Sequence, residues 1–100
     1  MQELVKDFVA KYNLETSPEI RFIDLMSETG ELGKEILKGN SYGKETCEKT
    51  SDLESEMGDV LFSLMCIANT MDVNLEEALK GVLAKYEKRF KKKGEIGSGE

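Results

Sequence analysis

The sequence predicts an all-α chain: a four-helix, bundle-like unit that assembles into a homo-oligomer. Three observations carry this. Apolar residues recur at helical spacing in four separate segments. Helix-start signals, Ser17-Pro18, Ser51-Asp52-Leu53-Glu54 and Asn74, stand ahead of three of them. No stretch of useful length alternates apolar and polar residues as a strand would. The 100 residues suit a single domain, expected over 1–93, with GEIGSGE at 94–100 as a mobile C-terminal tail.

The first helix is expected over about residues 2–12, where Leu4, Val5, Phe8, Val9 and Tyr12 share a stripe. The second covers about 18–38. Ser17 is its N-cap, and Pro18 takes the first helical position, where a missing N–H costs nothing. Its apolar positions are Phe22, Leu25, Met26, Leu32 and Ile36, widened by Ile23 and Leu37, and Gly39-Asn40 ends it. Gly30 and Gly33 inside this helix each cost about 1 kcal/mol against alanine. They flank Glu31 and suggest a close approach there by another helix or a ligand.

Residues 40–50 form a polar loop with one aromatic, Tyr42. Ser51 to Glu54 reads as a capping box opening the third helix, over about 51–71. Leu53, Met57, Val60, Leu61, Leu64, Met65, Ala68 and Met71 form its broad face, and from Val60 to Ala68 it is apolar almost all round. A helix of that kind is buried. Four short helices in one chain would struggle to cover it, hence the expected homo-oligomer packed through this helix. Asn74 caps the fourth helix, over about 75–92, with Glu77 three residues on. Its stripe is Leu75, Ala78, Leu79, Val82, Leu83, Tyr86 and Phe90.

The composition excludes several kinds of chemistry. Net charge −6 argues against a nucleic-acid polymer as partner. Seven of the 14 Lys and Arg lie between Lys80 and Lys93, with Glu87 as the single acid among them. The chain has no histidine, which rules out a His general base and a His-ligated zinc. Its two cysteines make no disulfide framework; Cys66 sits in an apolar run and Cys47 in a polar one. No signal peptide or membrane-spanning run is visible, so a cytoplasmic protein without a membrane partner is expected.

Against that background the acids of the second and third helices stand out. Asp24, Glu28, Glu31 and Glu35 fall within about 60° of one another around a helix. Like charges at such spacings repel, by about 0.2–0.5 kcal/mol per pair. The third helix carries Glu56 and Asp59 at i,i+3, beside a strongly apolar face. Two i,i+3 acid pairs on adjacent helices can face each other if the helices pack antiparallel. Carboxylates set against apolar surface need a neutralising cation. The alternative is two solvated acidic faces. An oxygen-only set selects Mg²⁺, with Mn²⁺ as the alternative ion, and Mg²⁺ held by few carboxylates takes up substrate phosphate oxygens. Lys85 and Arg89, at i,i+4 on the fourth helix, supply cations suited to phosphate contact.

ETGEL at Glu28–Leu32 and EMGDVLF at Glu56–Phe62 resemble the paired metal-binding motifs of the MazG-like all-α nucleoside triphosphate pyrophosphohydrolases. The likeness runs from about Phe22 to Phe90 and includes the basic ending KYEKRF. It implies Glu28, Glu31, Glu56 and Asp59 as Mg²⁺ ligands and Lys85 and Arg89 as phosphate contacts. It also implies hydrolysis of a nucleoside or deoxynucleoside triphosphate to monophosphate and pyrophosphate, with Glu28, Glu31 and Glu35 as the candidates to orient or deprotonate the attacking water and Phe8, Tyr12 and Tyr42 as the candidates to stack on the base. The family forms homodimers or dimers of dimers, in which a neighbouring subunit helps to build the site. Two positions depart from the family pattern. Ser27 stands where the first of two adjacent glutamates would be, and Leu83 where an asparagine is frequent. They leave open a catalytically weak helical dimer that binds nucleotides or a partner protein. An activity like that of the related phosphoribosyl-ATP pyrophosphohydrolases is the other alternative.

Overall fold

The computed structural model describes residues 1–93; the expected tail at 94–100 lies outside the described residues. Four helices follow one another: α1 (Gln2–Lys11), α2 (Pro18–Gly39), α3 (Leu53–Thr70) and α4 (Leu75–Lys93). No strand occurs among the described residues. No helix there is long and apolar enough to cross a membrane.

Two of the three expected caps form. Ser17 Oγ accepts from the Ile20 N–H at 3.2 Å, with Pro18 in the first helical turn. Asn74 Oδ1 accepts from the Glu77 N–H at 3.0 Å. The capping box at Ser51–Glu54 does not form. Asp52 is the N-cap of α3, but its backbone is already helical (φ −98°, ψ −5°) and its side chain makes no cap bond. A capping side chain needs an extended backbone to turn back on the free N–H groups.

α2 lies along α3, and α1 packs against α3. The residues of α2 withdrawn from water include Arg21, Leu25, Glu28, Leu32, Glu35 and Gly39. Their spacing alternates four and three, the repeat of a helix–helix seam. This differs from the expected apolar face. Phe22, Ile23, Met26, Ile36 and Leu37 remain exposed on the protomer, and the seam is built around half-buried and buried acids instead. Gly30 and Gly33 face open space, and none of the described residues approaches them. On α3, Met65, Cys66 and Ala68 are the buried apolar residues, while Met57, Leu61 and Leu64 keep an exposed side.

Gln2 ties the start of α1 to the far end of α3. Its amide nitrogen donates to Asn69 Oδ1 at 3.0 Å and to the Val73 carbonyl at 2.8 Å. Its amide oxygen accepts from the Leu75 N–H at 2.6 Å, meeting one of the free donors at the start of α4. Beyond that anchor α4 packs extensively on none of the other helices. The radius of gyration reflects this: it is 16.8 Å, against about 13 Å for a compact chain of this length. Leu79, Leu83 and Phe90 of the α4 stripe are each more than half exposed.

The α2–α3 connection is held against the end of α2. Ser41, Tyr42 and Gly43 turn the chain with positive φ. The Glu48 N–H then donates to the Gly39 carbonyl at 2.8 Å. Gly39 is buried, and a Cβ there would collide with the Glu48 carbonyl oxygen. This contact returns the chain over α2 and sets where α3 begins.

Candidate metal centre

Because α3 runs back along α2, the middle of one meets the start of the other. One carboxylate oxygen each from Glu28, Glu56 and Asp59 lies within 4.8 Å of the other two. Glu28 and Glu56 are half-buried, and Asp59 is exposed at the rim. No ion pair involves any of the three among the described residues. Withdrawal from water raises the Glu28 carboxyl above its ordinary range, and the charges of Asp59 and Glu56 and a hydrogen bond with Asp59 add to that. Withdrawal from water likewise raises Glu56, with Asp59 and then Glu31 adding to it. A set of oxygen donors that repel one another around a shared space fits a hard divalent cation.

The four acids assigned by motif are therefore not equivalent. Glu31 is rotated about 60° from Glu28 around α2, away from the seam. It is exposed and pairs loosely with Lys34 at 3.9 Å. Its charge still reaches both Glu28 and Glu56. Glu35 continues the seam one turn further and is buried. It accepts a hydrogen bond from Thr50 Oγ1 at 2.6 Å and pairs with Lys38 at 3.2 Å. The Thr50 hydroxyl, helped by Lys38, holds its carboxyl below the ordinary range against the opposing effect of burial. Asp24, at the other end of the row, is half-buried and meets Arg21 at 3.8 Å.

Thr50 is the partner that motif reading missed. The signal was present in Glu35, an acid on the Glu28 stripe seven residues on, which needs a donor once that stripe packs against another helix. The basic candidates lie elsewhere in the chain. Lys85 Nζ and the Arg89 guanidinium flank the Tyr86 ring at 5.5 and 5.9 Å, on the helix that packs extensively on neither α2 nor α3. Of the aromatic candidates, Phe8 and Tyr12 meet in a tilted arrangement with ring centroids 4.9 Å apart, and Phe8 meets Phe62 edge-on at 6.3 Å. Tyr42 is exposed on the loop.

Three comparisons bear on this arrangement. The MazG nucleotide pyrophosphohydrolase domain matches residues 17–93. Two uncharacterized proteins of Bacillus subtilis are relatives. YpjD is 41% identical over 78 residues, covering 75% of this chain and 68% of its own. YvdC is 34% identical over 97 residues, covering 89% and 92%. Among solved structures, the Bacillus-conserved MazG protein, a nucleotide pyrophosphohydrolase, superposes with a TM-score of 0.72 at 32% identity, over 86% of this chain and 84% of that one. The crystal structure of YPJD from Bacillus subtilis superposes with a TM-score of 0.70 at 37% identity, over 85% and 86%.

Proposed function

The chain belongs to the MazG nucleotide pyrophosphohydrolase domain family, and on that premise we propose that it hydrolyses a nucleoside or deoxynucleoside triphosphate to the monophosphate and pyrophosphate, with Mg²⁺ as cofactor. The observation that carries this reading is the convergence of Glu28, Glu56 and Asp59 within 4.8 Å. These three hold the ion, and Glu31 completes the set from the exposed side. When bound, Mg²⁺ there screens phosphate oxygens and makes a coordinated water more acidic.

The protein's own side chains do the rest. Glu31 is the carboxylate best exposed to take a proton from water at the rim. Glu35 is already committed to Thr50 and Lys38, so it orients rather than accepts. Lys85 and Arg89 stabilise charge on the leaving phosphates. Self-association brings them into play. An amphipathic α4 with Leu79, Leu83 and Phe90 more than half exposed is best accommodated against a second copy. That pairing also sets its cations near an acidic cluster.

The test is pyrophosphate release from a panel of NTPs and dNTPs with Mg²⁺, compared with Glu28→Gln, Glu56→Gln and Asp59→Asn. Loss of turnover in all three supports the assignment. Unchanged turnover in all three refutes it, and release of orthophosphate refutes the reaction type. Ser27, in place of an acid beside Glu28, favours one second reading, a nucleotide binder with little turnover. Tight metal-dependent binding of a nonhydrolysable triphosphate without hydrolysis would select that reading.

A further inference from the structure

We propose that Thr50 is a positioning residue for the carboxylate cluster: its hydroxyl clamps the returning chain to Glu35, fixes the register in which Glu56 and Asp59 meet Glu28, and so makes the site select a small divalent cation over a large one. This rests on reading the three acids as ligands of a divalent cation.

Glu28, Glu56 and Asp59 hold their oxygens within 4.8 Å of one another. Without an ion their charges repel, and the repulsion acts to part α2 from α3. The hydrogen bond between Glu28 and Asp59 needs a proton on one of them and is lost once both ionise. The ionised cluster is therefore held together by contacts outside it.

The contact between Thr50 and Glu35 has the required place and chemistry. Glu35 is 7% exposed and Thr50 is half-buried. The Thr50 hydroxyl donates to Oε1 of Glu35 at 2.6 Å. A short bond to a charged acceptor, sheltered from water, is of the strong kind. The Thr50 carbonyl accepts from the Leu53 N–H at 3.4 Å, at the first turn of α3. One residue thus holds α2 with its side chain and the start of α3 with its backbone. Asp52, the N-cap, makes no side-chain bond that could do the latter. Lys38 pairs with the other oxygen of Glu35, Oε2, at 3.2 Å. That contact lies within α2 and ties nothing to α3.

The clamp is spaced to set the register. Glu28 lies seven residues before Glu35, about 10 Å along α2. Glu56 and Asp59 lie six and nine residues after Thr50, a comparable distance along the chain that runs back. A slip of one residue moves one half of the cluster past the other by about 1.5 Å. Mg²⁺ demands near-octahedral oxygens at about 2.0–2.1 Å, whereas Ca²⁺ accepts a flexible shell at about 2.3–2.6 Å. A slip of that size spoils the first arrangement far more than the second.

Mn²⁺ binding to the full chain, without nucleotide, is followed by electron paramagnetic resonance, and Mg²⁺ and Ca²⁺ are read by displacement of Mn²⁺. Thr50→Val keeps the shape of the side chain and removes the donor, outside every helix. It should weaken Mg²⁺ and Mn²⁺ about tenfold, the low end for a partner lost outside the ligands themselves, and Ca²⁺ by less than about threefold. Thr50→Ser keeps the donor and should stay within about twofold of the parent chain. Lys38→Met removes the contact internal to α2 and should bind no more weakly than the parent. A general loss of stability would weaken all three ions alike and would not be rescued by serine. Equal losses for Mg²⁺ and Ca²⁺ in Thr50→Val overturn the proposal, and so does a Lys38→Met chain that matches Thr50→Val. Mn²⁺ binding that Thr50→Val leaves untouched overturns the clamp alone. A parent chain that binds no Mn²⁺ refutes the metal reading, and the proposal falls with it.

Discussion

Replacing Gly39 with alanine sets a methyl group against the carbonyl oxygen of Glu48. That oxygen is backbone, so the returning chain must move bodily rather than swing a side chain aside. Forcing a methyl into such a contact costs about 1–3 kcal/mol. The 2.8 Å bond from the Glu48 N–H to the Gly39 carbonyl is strained or lost with it, at about 0.5–1.5 kcal/mol. Alanine's better helix propensity returns at most about 1 kcal/mol. The net expectation is a loss of about 1–3 kcal/mol. Gly81→Ala is the matched control. Gly81 lies inside α4 with open space around it, off the apolar stripe. The same substitution there should stabilise by up to about 1 kcal/mol.

Thermal and urea unfolding followed by circular dichroism at fixed protomer concentration measures both. At about 4–8 °C per kcal/mol for a domain of this size, Gly39→Ala should lower the midpoint by roughly 10 °C and Gly81→Ala should raise it by a few degrees. The displaced loop carries Thr50, so Gly39→Ala should also weaken Mn²⁺ binding at the carboxylates. If Gly39→Ala is as stable as the parent chain and binds Mn²⁺ equally well, residues 47–50 do not return over α2 as described and do not set the register of α3.

Other consequences can be checked alongside. Ser17→Ala removes a formed cap and should cost about 1 kcal/mol, whereas Asp52→Ala, at a cap that makes no side-chain bond, should cost much less; equal losses in urea unfolding would contradict the caps described. The acids of the seam give pH effects of opposite sign in metal-free protein. Glu28 and Glu56 are raised in the folded chain, so their contribution is fully present below the ordinary value of 4.5 and is lost as pH rises through the folded values. Glu35 is lowered, so its contribution is present above 4.5 and is lost as pH falls through its folded value. Urea midpoints across the acid range should therefore fall less steeply toward neutral pH in Glu28→Gln and less steeply toward acid in Glu35→Gln; parallel curves would count against both. Cys47 is exposed, while Cys66 is 5% exposed and burial pushes its thiol up. A thiol reagent should label Cys47 quickly in the native chain and Cys66 only at the rate of opening; fast labelling of both would show that α3 is not packed as described.

Much of the fold was legible because its signals are local. Ser17-Pro18 and Asn74 act within one helical turn, and the apolar repeats marked all four helices to within a residue or two. The acid pairs were legible for the same reason, since i,i+3 spacing alone puts Glu56 and Asp59 on one stripe. The capping box at Ser51–Glu54 failed because the backbone conformation at Asp52 is set by the loop that delivers it.

The sequence by itself determined four helices, two acidic stripes and a basic last helix, because each depends on neighbours within about seven residues. Only the tertiary structure decided which acids meet. A stripe about 60° wide holds Glu28 and Glu31 together, but helix packing distinguishes angles finer than that. Glu28 falls on the seam and faces Glu56 and Asp59, Glu31 turns toward solvent, and Glu35 is taken up by Thr50. That choice depends on the return of the chain over Gly39, a contact between residues nine apart in a loop whose sequence announces only polarity.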